Sequence, residues 1–227
     1  SERLVPDNCI QFCDMTAIMD NIDGYNIYIT TDFTTTSGEG SDYSGIATWA
    51  VSSNEDWFLL NLHLKKMGMD TQYTLTLEEA SKWKRKGKHV EIGVEVDGNQ
   101  QAHINALEKI MRDSGTFYSF AKQKGQLDSP RKGILSKNSG LGAKHERFRI
   151  AAQVMLQQKM WFPEHLRNTP DMQEFVAQIK GATHVSFTRS DDGPDLITML
   201  VTMHVYYPSY EVPLKKMTTK DGTYYYE

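Results

Sequence analysis

The sequence has little that would commit it to a membrane, a disulfide scaffold or a nucleotide-driven motor. Its most apolar stretch, LITMLVTM at residues 196–203, is interrupted by threonines. It falls far short of the roughly 20 apolar residues that a spanning helix needs. Only two cysteines occur, Cys9 and Cys13. With no second Cys or His pair beside them, they support neither a disulfide framework nor a zinc site, and they fit a reducing compartment. The phosphate-cradling pattern G-x-x-x-x-G-K-[ST] is missing; GLGAKHE at residues 140–146 lacks its first spacing and the hydroxyl after the lysine. Seven histidines are scattered without ligand spacing. His89-Val90-Glu91 is not followed by the P-C-x-x-C of a zinc deaminase, and no G-x-S-x-G elbow appears. The opening SERLVPDN has no signal-peptide layout and no initiator Met, so it reads as a piece of a longer chain.

What is present is an ordinary globular composition: 39% hydrophobic and 24% charged over 227 residues, enough for one full-sized domain. Residues 1–24 read as irregular. Three strand-like runs follow, YNIYITTDF, YSGIATWAV and DWFLLNLHL, joined by short polar connections that suit antiparallel neighbours. TLEEASKWKRKG (76–87) has acids first and cations last, the order a helix dipole favours. In KHVEIGVEV (88–96), Val90, Ile92, Val94 and Val96 alternate with Glu91, Gly93 and Glu95, as in a strand with one buried face. AHINALEKIM, AKHERFRIAAQVMLQQ, DMQEFVAQIKG and DDGPDLITMLVTMHVYY predict helices. In the second of these, Phe148, Ile150, Ala151, Val154 and Met155 are expected to face inward. TFYSF predicts a short strand, and HVSFTR is a candidate for a last one. The order predicts a mixed-sheet α/β domain.

Three acidic positions stand out by placement. Asp32 ends the first strand run. Glu95 lies near the end of the fourth, on the face away from its valines. Asp191 and Asp192 open the last helix, with Asp195 one turn on. Taken singly, the helix acids are caps and Glu95 a solvated edge residue. If the first and fourth strands are neighbours, however, Asp32 and Glu95 end side by side and the helix start can join them. Carboxylates crowded in this way raise one another's pKa unless a cation intervenes. Hard oxygen ligands suit Mg2+ or Mn2+, and paired ions of this kind serve phosphodiester hydrolysis.

The segments IYITTDFTTTSGEGSDYSGIATWAV, VEIGVEVDGNQ and SDDGPDLITML, in this order, resemble the nuclease domain of the tailed-bacteriophage terminase large subunit. KHERFRI, after a basic loop, is similar as well. The resemblance spans about residues 25–207. It implies a ribonuclease H-like mixed β-sheet flanked by helices over residues 25–227, with residues 1–24 as a linker remnant. It implies metal ligation by Asp32, Glu95 and Asp192, the catalytic set, with Asp191 in support and two Mg2+ or Mn2+ ions. At Pro194–Asp195 the sequence departs from the family pattern, which leaves Asp195 outside the expected set. The activity implied is endonucleolytic cutting of double-stranded concatemeric phage DNA in the cytoplasm of an infected bacterial host. The implied partners are the terminase small subunit, the portal and an ATPase domain, with no membrane. A junction resolvase or transposase type of nuclease, or a non-catalytic DNA-clamp module, would be the alternatives.

Charge distribution supports a polyanionic partner. Between Lys122 and Arg149 eight basic residues face only Asp128 and Glu146, a local charge of +6, and the rest of the chain carries −10. Arg131, Lys132, Lys137, Lys144 and Arg147 are the candidate DNA contacts, reaching phosphates without reading bases.

Overall fold

The computed structural model describes residues 2–35, 43–96, 101–128, 132–134 and 144–209, and the backbone of 217–219 and 222–224. Its centre is a seven-stranded mixed sheet built from β1 (Gln11–Cys13), β2 (Asn26–Asp32), β3 (Ser44–Val51), β4 (Trp57–Lys65), β5 (Val90–Gly93), β6 (Ser119–Phe120) and β7 (Met160–Pro163), in the order β1-β7-β4-β3-β2-β5-β6. β2, β3 and β4 form the expected antiparallel meander, and β5 lies parallel to β2, with Ile27 opposite Val90 and Thr30 opposite Gly93. The two strands proposed as neighbours are therefore paired. A separate hairpin joins β8 (Met217–Thr219) to β9 (Gly222–Tyr224).

Strand alternation sorts side chains into two cores. Ile27, Ile29, Ile46, Val90, Ile92 and Val94 pack toward helices α2 (Met69–Arg85) and α3 (Gln101–Ser114). Tyr28, Ala47 and Trp49 pack on the opposite face toward α4 (Lys144–Ala151), α6 (Pro170–Gly181) and α7 (Asp192–Thr202). A short α1 (Thr16–Asp20) and α5 (Gln153–Leu156) complete the helices described. β3 is buried along its whole length because it is covered on both faces. In β4 the run Leu59-Leu60 breaks the alternation. The register there skips Leu60, a bulge that returns Leu59, Leu62 and Leu64 to one core while Leu60 joins the other.

Several local expectations differ from the fold. Residues 11–13 are a strand, paired in parallel with β7, a strand not foreseen in Met160–Pro163. Helix α2 starts at Met69, seven residues before the expected capping threonine; Tyr73, Thr76, Ala80 and Trp83 keep its buried stripe in phase. The helix expected over 143–158 is split between α4 and α5. Phe148, Ala151 and Met155 are fully buried, but Ile150 is 42% exposed. Two residues from Phe148, Ile150 points to the opposite side of a 3.6-residue helix. HVSFTR forms only an isolated bridge from Phe187 to Ala182. Among the described residues no helix is long and apolar enough to cross a membrane.

Candidate active site

The site lies where β2 and β5 end, beneath the start of α7. Asp32 is the last residue of β2 and shares a face with Tyr28 and Thr30, the face that α7 covers. Thr30 accepts a hydrogen bond from Trp49 Nε1 at 2.9 Å, and Thr31 Oγ1 donates to the Gly93 carbonyl at 2.8 Å. The two strand ends are thus held together just before Asp32. Glu95 follows β5 by two residues, and its alternation persists through ladder bonds on either side. Ile134 N–H donates to Val94 O at 2.8 Å, and Val96 N–H to Ile134 O at 2.9 Å. Glu95 therefore shares a face with Glu91 and Gly93, toward α7.

Two glycines let α7 come close. Gly45, the cross-strand partner of Asp32, leaves room for Leu196, since a Cβ there would stand 2.8 Å from Leu196 Cδ1. A Cβ at Gly93 would stand 2.7 Å from Met199 Sδ. Separations under 3.0 Å require something to move, so both positions favour a residue with no side chain.

The start of α7 is fixed from α6. Gln178 is fully buried; its Oε1 accepts a hydrogen bond from Gly193 N–H at 2.7 Å, and its Nε2 donates to Glu174 Oε1 at 3.0 Å. It satisfies one of the N–H groups that a helix leaves unpaired in its first turn. Asp192, 8% exposed, and Asp195 are in this way presented toward Asp32, and Asp191 lies beside Asp195.

Electrostatics define the cluster. Burial raises the Asp32 pKa well above its ordinary value; the charges of Asp195 and Asp192 push it further, Lys144 opposes, and Glu95 adds to the rise. Burial also pushes Asp195 up, to about 7, against the pull of Lys144 and with the help of Asp191 and Glu95. Lys144 Nζ lies 2.9 Å from Asp191 Oδ1 and 2.6 Å from Asp195 Oδ2. Burial disfavours its charge, yet Asp195 and Asp191 outweigh this and raise its pKa.

Four of the carboxylates expected to act together, Asp32, Glu95, Asp191 and Asp192, therefore belong to one neighbourhood. Asp195, left out on the sequence, is a fifth. A sequence clue existed: Asp191 and Asp195 are four apart and so share a face of one helix. Lys144, expected on DNA, stands among the acids. No local pattern could reveal that, because its partners lie far along the chain. Arg147 is only 9% exposed, with its Nε enclosed and without a hydrogen-bond partner. Lys132 pairs with Glu108. Arg131 and Lys137 lie outside the described residues.

The donor set chemically suits a hard divalent cation: it is made of carboxylate oxygens, and the charges of Asp32 and Asp195 are disfavoured by burial and by acidic neighbours. Among the described residues no group of three or more His, Cys, Asp or Glu side chains is arranged so as to hold a metal ion.

No protein-family model matches the chain, and no curated protein matches it. Solved structures do. The human cytomegalovirus terminase nuclease domain, soaked with manganese and inhibitor-bound, aligns with a TM-score of 0.57 at 13% identity, covering 89% of this chain and 100% of that one. A manganese-soaked structure of the same domain gives 0.55 at 11% identity, and a further structure of it 0.55 at 12%, each covering 87% of this chain and 93% of that one. The fold, a ribonuclease H-like mixed sheet flanked by helices, is similar to that of this domain. At these identities the likeness speaks to the fold.

Proposed function

We propose that the protein is a divalent-metal-dependent endonuclease acting on double-stranded DNA in viral genome packaging. The observation that supports this most is the gathering of Asp32, Glu95, Asp192 and Asp195 under one helix start, where the other three disfavour the charge of Asp32. It occurs in a chain whose fold matches a terminase nuclease domain. In this reading Asp32, Glu95 and Asp192 hold the metal, with Asp191 and Asp195 as supporting ligands. Bound there, two Mg2+ or Mn2+ ions would supply Lewis acidity for activating water and for stabilising the departing 3′ oxygen.

The chain's own contribution is positional. Asp32 is anchored by a strand end on either side, and Asp192 by a helix start clamped through Gln178. The basic segment, with Arg131, Lys132 and Lys137, orients the duplex by phosphate contact and not by base identity. A tailed-phage source, concatemeric DNA as substrate, a bacterial host cytoplasm and an ATPase domain, small subunit and portal as partners complete the proposal. They rest on the sequence resemblance.

The ion pairs of Lys144 favour one second reading, a DNA-binding module in which a lysine permanently neutralises the acids. Plasmid nicking in Mg2+, Mn2+ and EDTA separates the two. Metal-dependent cutting that Asp32→Asn abolishes without unfolding supports the nuclease. Retained cutting by that variant in Mn2+ removes Asp32 from the metal site, and DNA binding with no cutting in any metal supports the module. Preference for branched substrates or transposon ends over plain duplex would redirect the proposal to a resolvase or transposase activity.

A further inference from the structure

Lys144 is the first residue of α4, and its side chain spans from that helix to the start of α7. A lysine in the first turn opposes the dipole of its own helix, so local sequence preference does not explain its placement. Its partners do. Charge-assisted contacts of 2.9 and 2.6 Å to Asp191 and Asp195 join two helices that also pack together through the apolar residues behind them. Asp195 is 16% exposed on its side chain and Lys144 44%, so the ammonium enters the cluster from solvent and can return there on a flexible stem.

The acids need a positive charge whether or not a metal is bound. We propose that the Lys144 ammonium is the built-in counter-cation of the metal-free site and competes with a divalent ion for Asp191 and Asp195. The inference rests on the metal reading above. Its consequence is a handover: loading the site with metal releases a lysine beside it, where a DNA phosphate can take the place of the two aspartates. Metal loading and DNA capture are then mutually favourable, because each removes the ion pairs that oppose the other. The device also keeps the metal-free protein intact, since five carboxylates without a cation would repel.

The test is Mn2+ titration of the full chain without DNA, following free Mn2+ by electron paramagnetic resonance, for the unaltered protein, Lys144→Met, Lys144→Gln and Lys144→Arg. Thermal midpoints in EDTA are measured alongside. Removing the competing ammonium is expected to tighten Mn2+ binding about threefold to thirtyfold, the range that one or two partly exposed ion pairs can supply. The metal-free midpoint falls in the same variants, and Lys144→Arg stays close to the unaltered protein in both measurements. Unchanged or weaker Mn2+ binding by folded Lys144→Met or Lys144→Gln overturns the proposal. If Lys144→Met unfolds, Lys144→Gln, which keeps a polar end for the aspartates, carries the measurement. An unaltered protein that takes up no Mn2+ overturns the metal reading itself, and the competition with it.

Discussion

Lowering the pH is expected to stabilise the metal-free protein through Asp195. The carboxyl titrates at about 7 in the fold against an ordinary value of 3.8, so the folded state holds this proton more tightly than the unfolded chain does. Stability from this group therefore rises as pH falls through about 7, and levels off near the unfolded value. From about pH 8 to about pH 5.5 the gain is about 2 kcal/mol, which for a chain of this size moves the thermal midpoint by about 4–8 °C. Asp32 contributes with the same sign, because burial and its acidic neighbours also raise its pKa. His63 and His103 act in the other direction. Burial lowers both, so their protonation disfavours the fold as pH falls through the ordinary value of 6.5. The comparison of the unaltered protein with Asp195→Asn cancels the histidines, because they are the same in both. Unfolding free energies in EDTA across this range should show the difference between the two proteins shrinking as pH rises, and the variant becoming the more stable near pH 8. Saturating Mn2+ should flatten this contribution in the unaltered protein, since the ion holds the carboxylate deprotonated in the fold and the unfolded group is deprotonated over the same range. A difference independent of pH would refute the crowding argument for Asp195.

Glu95→Gln should lose cutting while binding duplex DNA at least as well, as one charge that repels phosphates is gone; near-normal cutting would make Glu95 a solvated bystander. Gly45→Ala drives a methyl against Leu196 and should cost about 1–3 kcal/mol, with a disproportionate loss of cutting as α7 is displaced. Gly68→Ala, with open space around it, is the matched control in the same urea denaturation series. Gln178→Leu leaves Gly193 N–H without its partner and should cost about 1–3 kcal/mol by the same measurement. Replacing Arg131, Lys132 and Lys137 with alanine should lower the slope of log duplex affinity against log salt by about one unit for each phosphate no longer neutralised. An unchanged slope would place the duplex elsewhere.

The strands were legible where alternation was strong. Val90, Ile92, Val94 and Val96 announced a buried face, and so placed Glu91, Gly93 and Glu95 on the other before any pairing was known. Asp32 was conspicuous because an aspartate is unfavourable in a strand that is otherwise Ile, Tyr and Thr. The short elements at the β1 end of the sheet were not legible. Gln11–Cys13 and Met160–Pro163 are too brief for a periodic signal; the first finds its backbone partners in the second, which is itself paired with β4. The helix over 143–158 was read as continuous because its composition favours helix throughout, and the interruption at Ala152 is slight: Ala152 N–H still donates to Phe148 O and Leu156 N–H to Ala152 O.

By itself the sequence determined which acids end their elements and where the positive charge is concentrated, since both are local properties of a one-dimensional pattern. Their assembly was decided by tertiary structure. The parallel pairing of β2 with β5 brought Asp32 beside Glu95, and two glycines admitted α7 close enough to add Asp192 and Asp195. The same packing turned Lys144 from a surface cation of a basic segment into the counter-charge of the cluster. Coulombic interactions depend on distance in space, and the chain sets that distance only after it has folded.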